Sequence, residues 1–178
     1  MKKQAKEISD ILSDYHSDRE DGFKMTDDNV IEWVKQFKSN DQEFILDEFL
    51  HILRHHIYLS KEDAKVILLQ IVNSITKTWK YPSIKECLSE TVFLRQQPKH
   101  KSQCILLKLL GEVINAEYGI TLEYCGSKAK KNFVYLDDVI STGRTILKDC
   151  RKFMEGKDFY SEGNLIGVKS GKIRFVVA

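Results

Sequence analysis

A chain of 178 residues, 42% hydrophobic and 30% charged, is long enough to bury a core and reads as one domain or two small ones. No apolar run approaches the roughly 18 to 20 residues of a membrane span, and the start MKKQAKEISD has neither an apolar signal core nor a small-residue cleavage site, which predicts a cytoplasmic protein. The net charge of +2 is uneven: residues 1 to 90 hold 13 Lys/Arg against 17 Asp/Glu, net −4, and residues 91 to 178 hold 15 against 9, net +6, so the second half suits an anionic ligand.

In chain order, residues 2 to 15 read as a polar leading helix. Thr26 predicts an N-cap, with Asp27 and Asp28 set against the helix dipole and Val30, Ile31, Val34 and Phe37 at helical spacing. A second helix begins near Asn40 or Asp41 and runs through Phe44, Ile45, Phe49, Leu50 and Leu53. His51 and His55 lie one turn apart on it, but without a third ligand they read as an exposed helical face. Ser60 with Asp63 forms a capping pair that opens a third helix carrying Ala64, Ile67, Leu68, Ile71 and Ile75. Consecutive amphipathic helices need one another to hide their apolar faces, which predicts an N-terminal all-α domain over residues 1 to 80.

The pattern breaks at Pro82, and short apolar runs then alternate with helices. Strands are predicted at Thr91 to Arg95, Ile120 to Tyr124, Phe133 to Leu136 and Lys172 to Val177. The helices between them run from a Ser102 cap to Gly119 and from Thr142 to Met154, closing at Gly156. Strands separated by helices of this length favour a parallel sheet, so residues 81 to 178 read as an α/β domain. Cys87, Cys104, Cys125 and Cys150 are spread singly, without zinc-ligand spacing, and read as reduced thiols. Gly163 to Ser170, GNLIGVKS, superficially follows the nucleotide phosphate loop but lacks its spacing, and reads as a surface loop.

The chemistry is concentrated in FVYLDDVISTGRT, Phe133 to Thr145. An apolar strand ends at Asp137 and Asp138, and Ser141, Thr142, Gly143, Arg144 and Thr145 bridge into a helix, the place where open α/β sheets bind ligands. Two adjacent carboxylates accept hydrogen bonds from the vicinal hydroxyls of a ribose. The turn offers backbone N–H groups at a helix N-terminus, close approach at Gly143, and hydroxyls from Ser141, Thr142 and Thr145, all suited to a phosphate.

These thirteen residues resemble the phosphoribosyl-pyrophosphate (PRPP) binding motif of the type I phosphoribosyltransferases. The resemblance implies that Asp137 and Asp138 hold the ribose 2- and 3-hydroxyls and that Ser141 to Thr145 hold the 5-phosphate, with Mg²⁺ accompanying the ligand. Arg144, at the motif's variable position, either adds charge to the phosphate site or faces solvent. In that family the loop after the first core strand contacts pyrophosphate. Here the corresponding segment follows Thr91 to Arg95 and gathers Arg95, Lys99 and Lys101 near Ser102, although a basic surface loop would have the same composition.

Three departures bear on turnover. The connection around Ser127 to Lys131 is shorter than the family's flexible catalytic loop, no hood for a nucleobase follows Val177, and the chain stops as its last strand ends, which predicts a C-terminal truncation of the sheet. A helical leader with VIEWVKQF and FILDEFL ahead of a core reading YLDD resembles the phosphoribosyltransferase-like effectors of prokaryotic defence systems, including those accompanying retrons. There a helical, winged-helix-like region is paired with the transferase-like domain, which implies a protein or nucleic-acid partner and leaves an oligomer open. Two functions stay in view: a phosphoribosyltransferase acting on a nitrogen acceptor, and a non-catalytic PRPP- or nucleotide-sensing module.

Overall fold

The computed structural model describes residues 1–15, 22–98, 101–138 and 143–178. They divide into two compact units, Met1–Ala64 and Lys65–Ala178.

The first unit carries only helices among its described residues: α1 (Lys2–Ile11), α2 (Asp27–Val34) and α3 (Gln42–Ile52), the last running into a π-helical turn, Leu53–Ile57. Thr26 caps α2 in a reciprocal box: its hydroxyl accepts from the Asn29 amide at 3.2 Å, and the Asn29 side chain accepts from the Thr26 amide at 3.0 Å. Ala5, Ile8 and Leu12 of the first segment meet Val30, Val34, Leu46 and Leu50 in one apolar core. The leader ends at Ile11, where turns replace the last residues of the predicted helix. His51 and His55 are exposed, with ring centroids 4.2 Å apart, and no metal-binding group of three is present among the described residues.

The second unit contains most of α4 (Lys61–Thr78), then α5 (Ile84–Ser89), β1 (Thr91–Phe93), α6 (Ser102–Tyr118), β2 (Asn132–Tyr135), α7 (Arg144–Glu155), α8 (Asn164–Lys169) and β3 (Arg174–Val177). The three strands form a parallel sheet in the order β1-β2-β3, with Val92 beside Phe133 and Phe133 beside Phe175. This is the expected α/β class, a small parallel sheet with flanking helices. The central strand is buried at all four positions, as a parallel strand covered on both faces must be. On one face Phe133 and Tyr135 pack with Leu94, Phe153 and Ile173, and the Phe133 ring lies 4.5 Å from Phe159 and 5.1 Å from Phe153.

Further expectations are corrected. Ile120 to Tyr124 is not a strand: Gly119 ends α6 in the left-handed region at φ 65°, and the next residues close a 3-10 turn, Leu122–Tyr124, through i→i+3 bonds from Tyr124 to Thr121 and Cys125 to Leu122. Its alternating apolar residues are used instead to bury Ile120. Gly163 to Ser170 is not a surface loop but the short helix α8. Buried Asn164 ties it down, donating to the Phe153 carbonyl at 2.8 Å and accepting from the Phe159 amide at 3.3 Å. Gly167 packs closely there, since a Cβ would stand 3.0 Å from side-chain atoms of Ile173 and Tyr160. The residues after Pro82 form α5, capped by Ser83, whose hydroxyl accepts from the Glu86 amide at 3.2 Å. Lys101 rather than Ser102 occupies the N-cap of α6.

Candidate functional site

Beyond the ends of β1 and β2 the sheet hydrogen bonding continues for another residue or two. The Leu94 amide donates to the Val134 carbonyl at 2.8 Å, the Ala178 amide to Tyr135 at 2.9 Å, and the Asp137 amide to Ala178 at 3.1 Å. Asp137 is therefore set by the sheet itself. It is half-buried, whereas Asp138 is exposed and donates its amide to the Asp137 carboxylate at 3.1 Å. Burial pushes the Asp137 carboxyl above its ordinary value. The Asp138 amide pulls it down, and the Asp138 charge raises it again.

Asp137 opens onto a cavity of about 710 Å³ whose other walls are the loop after β1 and the start of α7. Gln96, Gln97, Pro98, Lys101 and Ser102 line one side, and Arg144, Thr145, Lys148, Asp149 and Lys152 the other. The N-termini of α6 and α7 both border it, and each brings the positive end of a helix dipole. Gly143 caps α7 at φ 69° with nothing within 4 Å of the position a Cβ would take, so the backbone there is open to a ligand.

Two polar side chains join the walls. Gln103, fully buried, accepts from the Gln96 and Gln97 amides at 2.7 and 3.0 Å and donates to the Leu136 carbonyl at 3.2 Å. It thus ties the loop after β1 to the residue before the acid pair. Tyr135 accepts from the Gln97 side chain at 2.9 Å and donates to Asp149 on α7 at 2.8 Å. Burial, and the Asp149 carboxylate that its proton serves, push the Tyr135 hydroxyl pKa upward, so it stays protonated.

Of the residues singled out from sequence, the cavity brings together Asp137, Lys101, Arg144 and Thr145, with Asp138 and Gly143 alongside. Arg95 is exposed and does not line it. Lys99, Ser141 and Thr142 lie outside the described residues. Sequence reading missed Gln97, Gln103, Tyr135, Lys148, Asp149 and Lys152. Gln103 had a signal: it heads the buried stripe Gln103, Leu107, Leu110 and Ile114 of α6, where a polar residue needs a reason. Lys148 and Lys152 also had one, as they repeat Arg144 at four-residue steps.

A protein-family model described as PRTase-CE matches residues 30–178, from within α2 to the last residue of the sequence. The chain belongs to this phosphoribosyltransferase-like family. The match covers the strand–loop–helix motif and the whole parallel sheet, as well as most of the helical unit. Comparison with curated proteins and with solved structures returned no match. No helix among the described residues is long and apolar enough to cross a membrane.

Proposed function

We propose that this PRTase-CE chain binds PRPP or a related ribose-phosphate ligand in the cavity between the β1 loop and α7. The observation that carries the reading is convergence: Asp137 at the end of β2, Arg144 and Thr145 just after the left-handed Gly143 at the head of α7, and the loop after β1 border one basic cavity. The ribose hydroxyls would donate to Asp137 and Asp138. The 5-phosphate would take the α7 N-terminus from Gly143 to Thr145, with Ser141 and Thr142 the remaining members of the motif. Lys101 and the α6 N-terminus would face pyrophosphate.

The donor set suits Mg²⁺ carried by the ligand. No group of three metal-binding side chains is present among the described residues, and Mg²⁺ takes one or two carboxylates together with substrate phosphates and water. Asp137 and Asp138 would hold it, and it would supply charge neutralisation for the phosphates.

One observation favours a sensing module over a transferase. The segment expected to serve as a catalytic loop is pinned by backbone bonds: Gly126 to Leu88 at 2.9 Å, Lys128 to Ser89 at 2.9 Å and Lys131 to Glu90 at 3.1 Å. That holds it at the N-terminal ends of the strands, away from the cavity. Such a module would act within a prokaryotic defence or regulatory assembly, with the helical unit meeting a protein or nucleic-acid partner. Calorimetric titration of PRPP with Mg²⁺ tests the ligand: wild type binds and Asp137→Asn/Asp138→Asn does not. Absence of wild-type binding refutes the assignment, and pyrophosphate release with a panel of nitrogenous bases would establish transfer.

A further inference from the structure

The cavity wall extends along α7 beyond the Gly143 to Thr145 turn proposed for the 5-phosphate. Arg144, Lys148 and Lys152 all line it. Their four-residue steps set them in one row along α7, about 12 Å long at 1.5 Å rise per residue. The first stands at the helix N-terminus and the other two lie farther along the wall. Among the described residues neither Lys148 nor Lys152 has an ion-pair partner, although Asp149 is adjacent in sequence. The Asp149 carboxylate is buried and takes the Tyr135 hydroxyl at 2.8 Å instead. The wall therefore presents two exposed cations with room for the negative charge of a ligand.

PRPP does not supply it. Its second anionic group is on C1, across the ribose from the 5-phosphate, and its 5-phosphate is terminal. The acid pair selects a ribose with both vicinal hydroxyls free, and the row beyond Arg144 selects a 5-phosphate that is followed by further phosphates. In an RNA strand one nucleotide has both properties, the 3′-terminal one, because every internal ribose has its 3′-oxygen esterified.

We infer that the cavity takes the 3′ end of an RNA strand. This rests on the ribose-phosphate reading above and names the ligand class for the same site. The terminal ribose donates its hydroxyls to Asp137 and Asp138, its 5′-phosphate meets Gly143 and Arg144, and the preceding phosphodiesters follow Lys148 and Lys152.

The test is fluorescence anisotropy with a short 5′-labelled RNA ending in free 2′- and 3′-hydroxyls. It is compared with the same RNA closed as a 2′,3′-cyclic phosphate and with DNA of the same sequence. Wild type binds the free-ended RNA at least roughly tenfold more tightly than either control, and PRPP with Mg²⁺ displaces it. Lys148→Glu/Lys152→Glu, at two exposed positions, weakens RNA binding by about tenfold and lowers the salt slope by about 1.4, as expected for two lost phosphate contacts on a single strand. The same variant loses less affinity for PRPP than for RNA, since those lysines lie beyond the 5-phosphate. Equal affinity for free and closed RNA ends overturns the inference, and so does an equal loss of PRPP affinity in the variant. Binding of a pyrophosphate-linked dinucleotide as tightly as RNA would overturn it in favour of a small ligand. If PRPP binds and RNA ends are not distinguished, this inference alone falls. If neither PRPP nor RNA binds, the ribose-phosphate reading falls with it.

Discussion

Replacing Gln103 by Leu keeps the side-chain volume nearly constant and removes three hydrogen bonds at once. The Gln96 and Gln97 amides lose their acceptor, at 2.7 and 3.0 Å, and the Leu136 carbonyl loses its donor, at 3.2 Å. A buried polar group left unpaired costs about 1–3 kcal/mol. The two amides belong to residues that border the cavity and can regain water, so each sits at the low end of that range. The whole change should destabilise the fold by about 2–4 kcal/mol, a large share of the roughly 5–15 kcal/mol a domain possesses. Urea unfolding reads this as a fall in midpoint at constant m. Gln103→Glu separates the roles. It keeps an acceptor for both amides but turns a carboxylate toward the Leu136 carbonyl, which raises its folded-state pKa. The loss is then greatest at neutral pH and shrinks as the acid protonates and can donate. A Leu variant within about 1 kcal/mol of wild type, or a Glu variant with no pH dependence relative to wild type, would refute the bridging role of Gln103.

Tyr135→Phe removes the hydroxyl between Gln97 and Asp149 and leaves a buried carboxylate without that donor, so unfolding should show a loss of about 1–3 kcal/mol. A double-mutant cycle with Asp149→Asn should give a non-additive coupling. Gly126→Ala places a Cβ 2.8 Å from Val92 Cγ2 at φ 72° and should cost more than Gly143→Ala, which has the same backbone strain at φ 69° with nothing within 4 Å; equal costs by urea unfolding would contradict this. Glu90 is held below its ordinary pKa by the Tyr81 hydroxyl first and then by Lys131, against the cost of burial. Its stabilisation is fully present above the unfolded carboxylate pKa of about 4.3 and is lost as pH falls through the lower folded value. The thermal midpoint gap between wild type and Glu90→Gln should therefore be steady near neutrality and close below about pH 4.

What was legible from sequence followed from local chemistry. Thr26 and Ser60 marked helix starts because a capping hydroxyl meets an amide three residues on, at 3.2 and 3.1 Å here. FVYL marked the central strand because burial on both faces demands an unbroken apolar run. The misreadings arose where tertiary contacts decide. Ile120 and Leu122 alternate as a strand would, yet two left-handed glycines, Gly119 and Gly126, bound a segment that closes into a 3-10 turn. The motif itself supplied one wall of the cavity. The opposite wall depends on Gln103 and Gln97, whose partners Leu136 and Tyr135 lie 33 and 38 residues away in sequence, so the polar head of the α6 stripe marks Gln103 as needing a partner but no local pattern names it.

The second unit's sheet is clamped at both ends by buried polar groups, and this limits where ligand specificity can reside. At the strand N-termini Glu90 takes the Tyr81 hydroxyl at 2.7 Å and the Lys131 ammonium at 3.1 Å, while Asn132 donates to Tyr81 at 2.9 Å. At the C-termini Gln103 and Tyr135 bind the β1 loop, β2 and α7 into one unit. Changing any of these groups strands a buried partner, so they answer first to stability. Lys148 and Lys152 are exposed on the cavity side of α7, where substitution leaves the clamps untouched. Under the proposed reading, Asp137, set by the sheet, and the exposed cations of α7 would divide the labour of recognition. On that reading the clamped end would select a ribose with free hydroxyls, and the exposed row would set how much negative charge follows its phosphate.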